Sequence, residues 1–384
     1  MQKIVSTQRI PSRESRSFGA FAARAFALLA LSTSFAFGSP QTRGADLVRI
    51  VAPTEEGAFE ERNAEGAIVE ITASGITLRD AKTKEDVVLP SERVLWILLD
   101  GEPMELAAAR VEYEVGEYES ALEKLNAIDA TELESSKSPY VAAEYDWYRA
   151  TTTLQLALAE GEGALSEGGR ALSTFVKDRK DSYRYYEALA QLGDAFLAAS
   201  LDASKKDASL KRAREAYETM AKSESNVVRA RGLVGVGDVA LATEDYAEAE
   251  TSYKTAKGAG IEGEYMGRDV LSRASLGLAL AYARSGRYDE ARAEIASALE
   301  TTPRQAELAR ARLYNALGET NELDERWEDA IIARLRVDLV YHSARVERVK
   351  ALKALVGLWS RTGREDRAAE TRERLKTRFH VEIE

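Results

Sequence analysis

No cysteine occurs among the 384 residues. Disulfides, thiolate nucleophiles, cysteine-bound zinc and iron–sulfur clusters are therefore excluded. Histidine is almost as scarce: His342 and His380 are the only two, so a three-histidine metal site cannot form within one chain. The expectation is no metal and no cofactor. Only seven prolines interrupt the chain, and alanine, glutamate, leucine and arginine abound, a composition that favours helix over sheet. Positive charge is in deficit, with 53 Lys and Arg against 64 Asp and Glu and a formal net charge of −11. That argues against nucleic acid as a partner, because general nucleic-acid binders need a basic surface.

A long hydrophobic run is also missing. The run "AFALLALSTSFAFG" (Ala25–Gly38) is shorter than the roughly 20 residues needed to cross a bilayer. It comes after a basic start (Lys3, Arg9, Arg13, Arg16, Arg24) in which Glu14 is the one acid. Ala36 and Gly38 place small residues at −3 and −1 of a cut before Ser39. Residues 1–38 have the pattern of a secretory signal peptide, and no transmembrane span is expected after cleavage. Removing five cations and one acid takes the formal charge from −11 to −15. The expected location is exported: periplasm, cell envelope or extracellular.

Residues 45–101 are the strongly β-like part. "GAIVEI", "GITLRD", "EDVVLP" and "RVLWILL" are short runs rich in β-branched residues, separated by turn residues, and "DLVRIV" offers a fifth. They predict a small antiparallel barrel or curled sheet, similar in outline to SH3-like and Sm-like barrels. A unit of this size is marginal alone and needs to dock on the helical part of the chain.

From residue 104 to 380 the pattern is helical. In "LALAYARSGRYDEARAEIASALETTP", Leu278, Ala279, Tyr282, Gly286, Tyr288, Ala291, Ile295, Ala298 and Pro303 recur at set intervals. The spacing resembles the tetratricopeptide repeat, a pair of antiparallel helices of about 34 residues. With Ala291 at repeat position 20, Ala279 falls at 8, Tyr288 at 17, Ile295 at 24 and Ala298 at 27. Small residues are needed where two helices approach within 8–10 Å. The same frame fits Gly237, Tyr246, Ala249 and Tyr253, then Gly116, Tyr118 and Ala121, then Trp327 and Ala330, and finally Trp359, Gly363 and Ala368. Between 140 and 222 it is weak. The alanines at 249, 291, 330 and 368 are 42, 39 and 38 residues apart, which implies lengthened helices or loops. The resemblance implies a mostly α chain: five to seven hairpins in a right-handed α-solenoid with an open concave face.

In the resembling family, positions 2, 5, 9 and 12 point into the groove. Position 2 holds Arg231, Arg273, Arg312 and Lys350 here, a ladder of cations suited to carboxylates of an acidic partner. Local acids such as Asp238 or Glu319 could equally pair with them. The family's clamp for chaperone tails needs Asn at position 9, where Asp238, Leu280 and Glu319 stand. A second candidate surface is aromatic: in "SPYVAAEYDWYRA", Tyr145 and Tyr148 lie on a different helix face from Tyr140 and Trp147. Two packed faces of one helix would account for them; exposed rings would suit sugars or a protein partner. "GEGALSEGG" (Gly161–Gly169) lacks the Lys-Ser/Thr ending of a phosphate loop. No nucleophile–base pair or metal set stands out, so an enzyme is not expected. The sequence reads as an exported, non-enzymatic scaffold for protein–protein interaction, holding an extended peptide or partner helix in its groove. The alternative is a cell-wall or polysaccharide binding module using the Tyr/Trp-rich helices. Self-association through stacked repeat ends stays open.

Overall fold

A computed structural model describes residues 45–55, 58–160 and 165–383, with the side chains of 159, 160 and 165–167 left aside. The signal-peptide segment and the first four residues of "GEGALSEGG" lie outside the described residues.

Five antiparallel strands come first: β1 (Asp46–Pro53), β2 (Phe59–Thr72), β3 (Gly75–Asp80), β4 (Asp86–Pro90) and β5 (Val94–Leu98). Their order is β4-β3-β2-β1-β5. β4 and β5 are the two edges, so the result is a curled sheet rather than a closed barrel. The run that reads as an optional fifth strand, β1, pairs with both β2 and β5. β2 starts seven residues earlier than "GAIVEI", since "FEERNAE" is too charged to read as strand; Arg49 of β1 holds Glu61 at 3.0 Å and Asn63 at 2.9 Å across the pair. At Gly66, β2 passes from β1 to β3. A side chain there would collide with the Arg79 carbonyl, so glycine lets the strand turn this corner. One face carries Val48, Ile76, Leu78 and Ile97 inward. It merges into a core with Leu106, Ala109, Tyr113 and Leu125 of the first helices, which supplies the docking that so small a sheet requires.

Among the described residues, seven helical hairpins come next. They are α1 (Met104–Val115) with α2 (Tyr118–Asn126); α4 (Val141–Glu160) with α5 (Leu165–Asp178), after a short α3 (Ala130–Glu134); α6 (Tyr185–Ala199) with α7 (Lys206–Met220); α8 (Asn226–Ala242) with α9 (Tyr246–Lys257); α10 (Gly267–Arg284) with α11 (Tyr288–Thr301); α12 (Glu307–Leu323) with α13 (Trp327–Val340); and α14 (Arg345–Arg361) with α15 (Glu365–Phe379). The chain is an α-solenoid of tetratricopeptide-like hairpins behind the sheet. Ala121, Ala249, Ala291, Ala330 and Ala368 are all completely buried, as crossing points must be. The long repeat has a simple cause: α8, α10, α12 and α14 run for 17 or 18 residues, starting about a turn before the point the repeat frame marks.

First helices of successive hairpins pack directly on one another, α8 on α10 and α10 on α12. The second helices stand farther apart and are bridged by long ion pairs, Arg214–Glu248 at 2.5 Å and Arg287–Glu250 at 2.6 Å. This asymmetry puts the first helices on the inside of the curve.

Where α1, α8, α10, α12 and α14 end, one residue takes the left-handed conformation. Glycine fills it at 116, 286 and 363, but Glu244 (φ 63°) and Glu325 (φ 56°) fill it in two hairpins. A side chain in that region costs about 1–2 kcal/mol. Glu325→Gly is accordingly expected to raise the urea midpoint by an amount equivalent to about 1 kcal/mol.

Candidate functional site

The inner face is built from α6, α8, α10, α12 and α14. The four cations stand on consecutive members of this row, but in the second helical turn, because each helix begins five or six residues earlier. Opposition to the helix dipole, which acts over the first turn, is correspondingly reduced. Each cation meets an acid of its own chain. Arg231 Nη1 donates to Glu187 of α6 at 2.7 Å. Arg273 lies 3.4 Å from Asp238 and 3.9 Å from Asp194. Arg312 lies 3.7 Å and Lys350 3.1 Å from the same carboxylate oxygen of Glu347. Exposure rises along the row: 18% for Arg231, 29% for Arg273, 34% for Arg312 and 62% for Lys350. In the first two rungs two cations face three acids. In the last two, both cations share the one carboxylate of Glu347.

The acids are held from behind. Tyr217 and Tyr253 donate their hydroxyls to Asp194 and Asp238, both at 2.6 Å. The Tyr217 ring lies between Gly193 and Gly235, and the Tyr253 ring between Gly237 and Gly277; a Cβ at any of the four would collide with the ring. The aromatic plate thus fills the gap between two inner helices, and its hydroxyl fixes the carboxylate facing the groove. Burial pushes the Asp238 carboxyl above its ordinary range, against the charge of Arg273. Glu187 goes the other way. Burial raises it, but the charge and hydrogen bond of Arg231 outweigh burial and leave its pKa below the ordinary 4.5. The stability it contributes is present above that value and lost as pH falls through the lowered folded value. Glu187→Gln is therefore expected to lower the urea midpoint at neutral pH, with the gap from the native chain closing below pH 4.5.

The two tyrosines part company. Tyr145 is half-buried and its hydroxyl accepts from Arg149 at 3.2 Å. Tyr148 is completely buried, so for it the reading of two packed faces holds and the candidate role in partner binding is corrected: its ring has no exposed surface. It lies between Arg110 and Arg184, whose guanidinium carbons are 5.4 and 5.9 Å from its ring centre. α4 packs on both sides, as Trp147 against Phe175 at 5.5 Å also shows, and that consumes both aromatic faces. Around Tyr148 lies a buried polar cluster that sequence reasoning missed. Arg110 holds Glu102 through two bonds of 2.9 and 3.1 Å. Arg184 sits among the rings of Tyr183, Trp147 and Tyr148. Glu144, whose carboxyl is pushed up by burial, accepts from Tyr183 at 3.2 Å. The one hint in the sequence was the crowding of tyrosines around arginine in "DSYRYYEALA".

Among the described residues no group of three His, Asp or Glu side chains could hold a metal ion, and no helix is long and apolar enough to cross a membrane. His342 and His380 are both exposed.

No protein-family model and no curated protein sequence matches the chain. Solved structures do resemble it in fold. A Rap protein complexed with competence and sporulation factor shares 13% identity at a TM-score of 0.49, over 71% of this chain and 74% of its own. A thermophilic TPR protein of Thermus thermophilus, TTC0263, shares 23% at 0.38, over 56% and 97%. A tetratricopeptide repeat protein from Parabacteroides merdae shares 16% at 0.33, over 65% and 96%.

Proposed function

We propose that this chain is an exported, non-enzymatic scaffold that holds an extended acidic peptide or partner helix in the concave groove of its repeats. The observation that carries the reading is the unequal pairing of the inner-face cations. Arg231 and Arg273 are matched by Glu187, Asp194 and Asp238, so they chiefly join helices. Arg312 and Lys350 share Glu347 alone and keep exposed donors toward the groove. A partner carboxylate there meets a preformed positive field without displacing a structural pair.

The test is capture of partners from cell-envelope extracts by residues 39–384, with bound proteins identified by mass spectrometry. Capture is expected to fall as salt rises and to be lost in the Arg312→Gln, Lys350→Gln double variant, which removes both cations without setting a new acid against Glu347. Capture at equal strength by the double variant would overturn the reading. Arg231→Glu, by contrast, places a second acid against Glu187 and is expected to lower stability.

A further inference from the structure

In a solenoid each repeat touches its neighbours and little else. Among the described residues, the side-chain hydrogen bonds within the helical region join the same or an adjacent hairpin, and the Arg273–Asp194 ion pair at 3.9 Å skips one hairpin. Three contacts from the sheet break the pattern. Glu92 Oε1 accepts from the Ser225 hydroxyl at 3.0 Å, across 133 positions. Arg93 Nη2 donates to Glu264 at 2.9 Å, across 171 positions. Phe59 meets Tyr265 edge to face, with ring centres 5.6 Å apart. The sheet is also fused to the start of the solenoid by an apolar core and by the Glu102–Arg110 pair. The sheet thus joins the first hairpin to the fourth and fifth.

We propose that this far end of the sheet is a reversible latch that fixes the curvature of the superhelix, and with it the opening of the groove, between the first hairpin and α10. Both partners of the contact are presented on shaped elements. Glu92 and Arg93 sit on a 3-10 turn pinned by the buried Ser91, whose N–H donates to the Ser74 carbonyl at 2.9 Å. Ser225 is the N-cap of α8, its hydroxyl also accepting from the Val228 N–H at 3.4 Å. Glu264 and Tyr265 precede Met266, which is left-handed at φ 65°, and Gly267, which has no room for a side chain beside the carbonyl of the fully buried Ile261. The two attachments differ in kind. At α1 it is buried, an apolar core with one enclosed ion pair. At α8 and α10 it is made by side-chain tips, with Arg93 27% and Glu264 44% exposed, the kind of pair that salt weakens. When the tips part, the sheet stays on the first hairpin, and the small angles between the intervening repeats are free to relax together.

The absence of cysteine makes the test direct. Val88→Cys on the exposed face of β4 and Thr255→Cys on α9 give two spin-label sites in the full chain. Pulsed electron resonance is expected to show one narrow distance in the otherwise native protein at low salt. Arg93→Glu is expected to replace it with a longer, broader distribution, as is high salt. The charge swap Arg93→Glu with Glu264→Arg is expected to restore the narrow one. Phe59→Ala, which leaves the ion pair intact, is expected to broaden the distribution partially. A distribution unmoved by Arg93→Glu and by salt would overturn the latch. So would broadening that the charge swap fails to reverse, because the cause would then be damage to the sheet itself.

Discussion

Arg110→Met is expected to cost about 3–5 kcal/mol, the usual range when one partner of a buried ion pair is removed. The side chains of Arg110 and Glu102 are 5% and 4% exposed, so the surviving carboxylate has no route to water. Glu102 also accepts from the Leu99 N–H at 3.1 Å, so it cannot swing outward without leaving a backbone group unpaired. Methionine keeps much of the volume and flexibility of the arginine stem, which confines the lesion to charge. The Arg110→Met, Glu102→Met double variant removes the stranded charge and is expected to recover most of the loss. It still leaves the Leu99 N–H unsatisfied, at a cost of about 1–3 kcal/mol. Hydrogen exchange should place the damage in β5, α1 and α4, since a solenoid fails locally. A single variant as stable as the native chain would mean that water reaches the pair.

The solenoid was legible because its crossing points are local in sequence. Ala249, Ala291, Ala330 and Ala368 recur, with Tyr, Trp or Ile at fixed offsets, and each alanine proves fully buried. Residues 140–222 were harder for a physical reason. There Gly168 and Gly193 make the close approaches, against Leu154 and the Tyr217 ring, so an alanine-centred frame finds little to hold. Glu325 shows the same limit: a turn needing a left-handed residue is obvious when glycine fills it and invisible when glutamate does. β2 was read short because ion pairs across the strands, not alternating apolar residues, carry its first half.

The site was less legible than the fold. The repeat frame locates the inner-face cations, but Arg231, Arg273 and Arg312 meet acids of other hairpins, 35 to 79 residues away, and Lys350 alone meets an acid of its own helix. Nothing local says that Arg231 has Glu187 to itself while Lys350 shares Glu347 with Arg312. For Tyr148 the sequence leaves packed and exposed readings open, because periodicity shows which face of a helix a residue shares, not how many faces are covered. The contacts of Glu92 and Arg93 were beyond reach altogether, since a pairing across 133 or 171 positions leaves no pattern in either segment.

Gly277→Ala is expected to destabilise the chain by about 1–3 kcal/mol, the range for overpacking a filled interior. The sign is the informative part. In an unhindered helix interior, alanine is favoured over glycine by about 1 kcal/mol, and Gly277 is well inside α10. Here a Cβ would run into the Tyr253 ring, whose other side is closed by Gly237 with its own Cβ position 2.7 Å away. The ring cannot tilt freely either, because its hydroxyl is held by Asp238 at 2.6 Å. Any shift that admits the methyl must separate α8 from α10 or break that bond, which leaves Asp238 less well held against Arg273. A control lies in the same fold. Gly357 is in α14, and nothing stands within 4 Å of its Cβ position. Gly357→Ala is therefore expected to stabilise by up to about 1 kcal/mol on propensity alone. Urea unfolding of the two variants under one set of conditions separates the effects. Opposite signs are what a clamped tyrosine plate requires. Equal gains would show that the ring yields easily, so that the inner helices are not set by glycine and tyrosine at all.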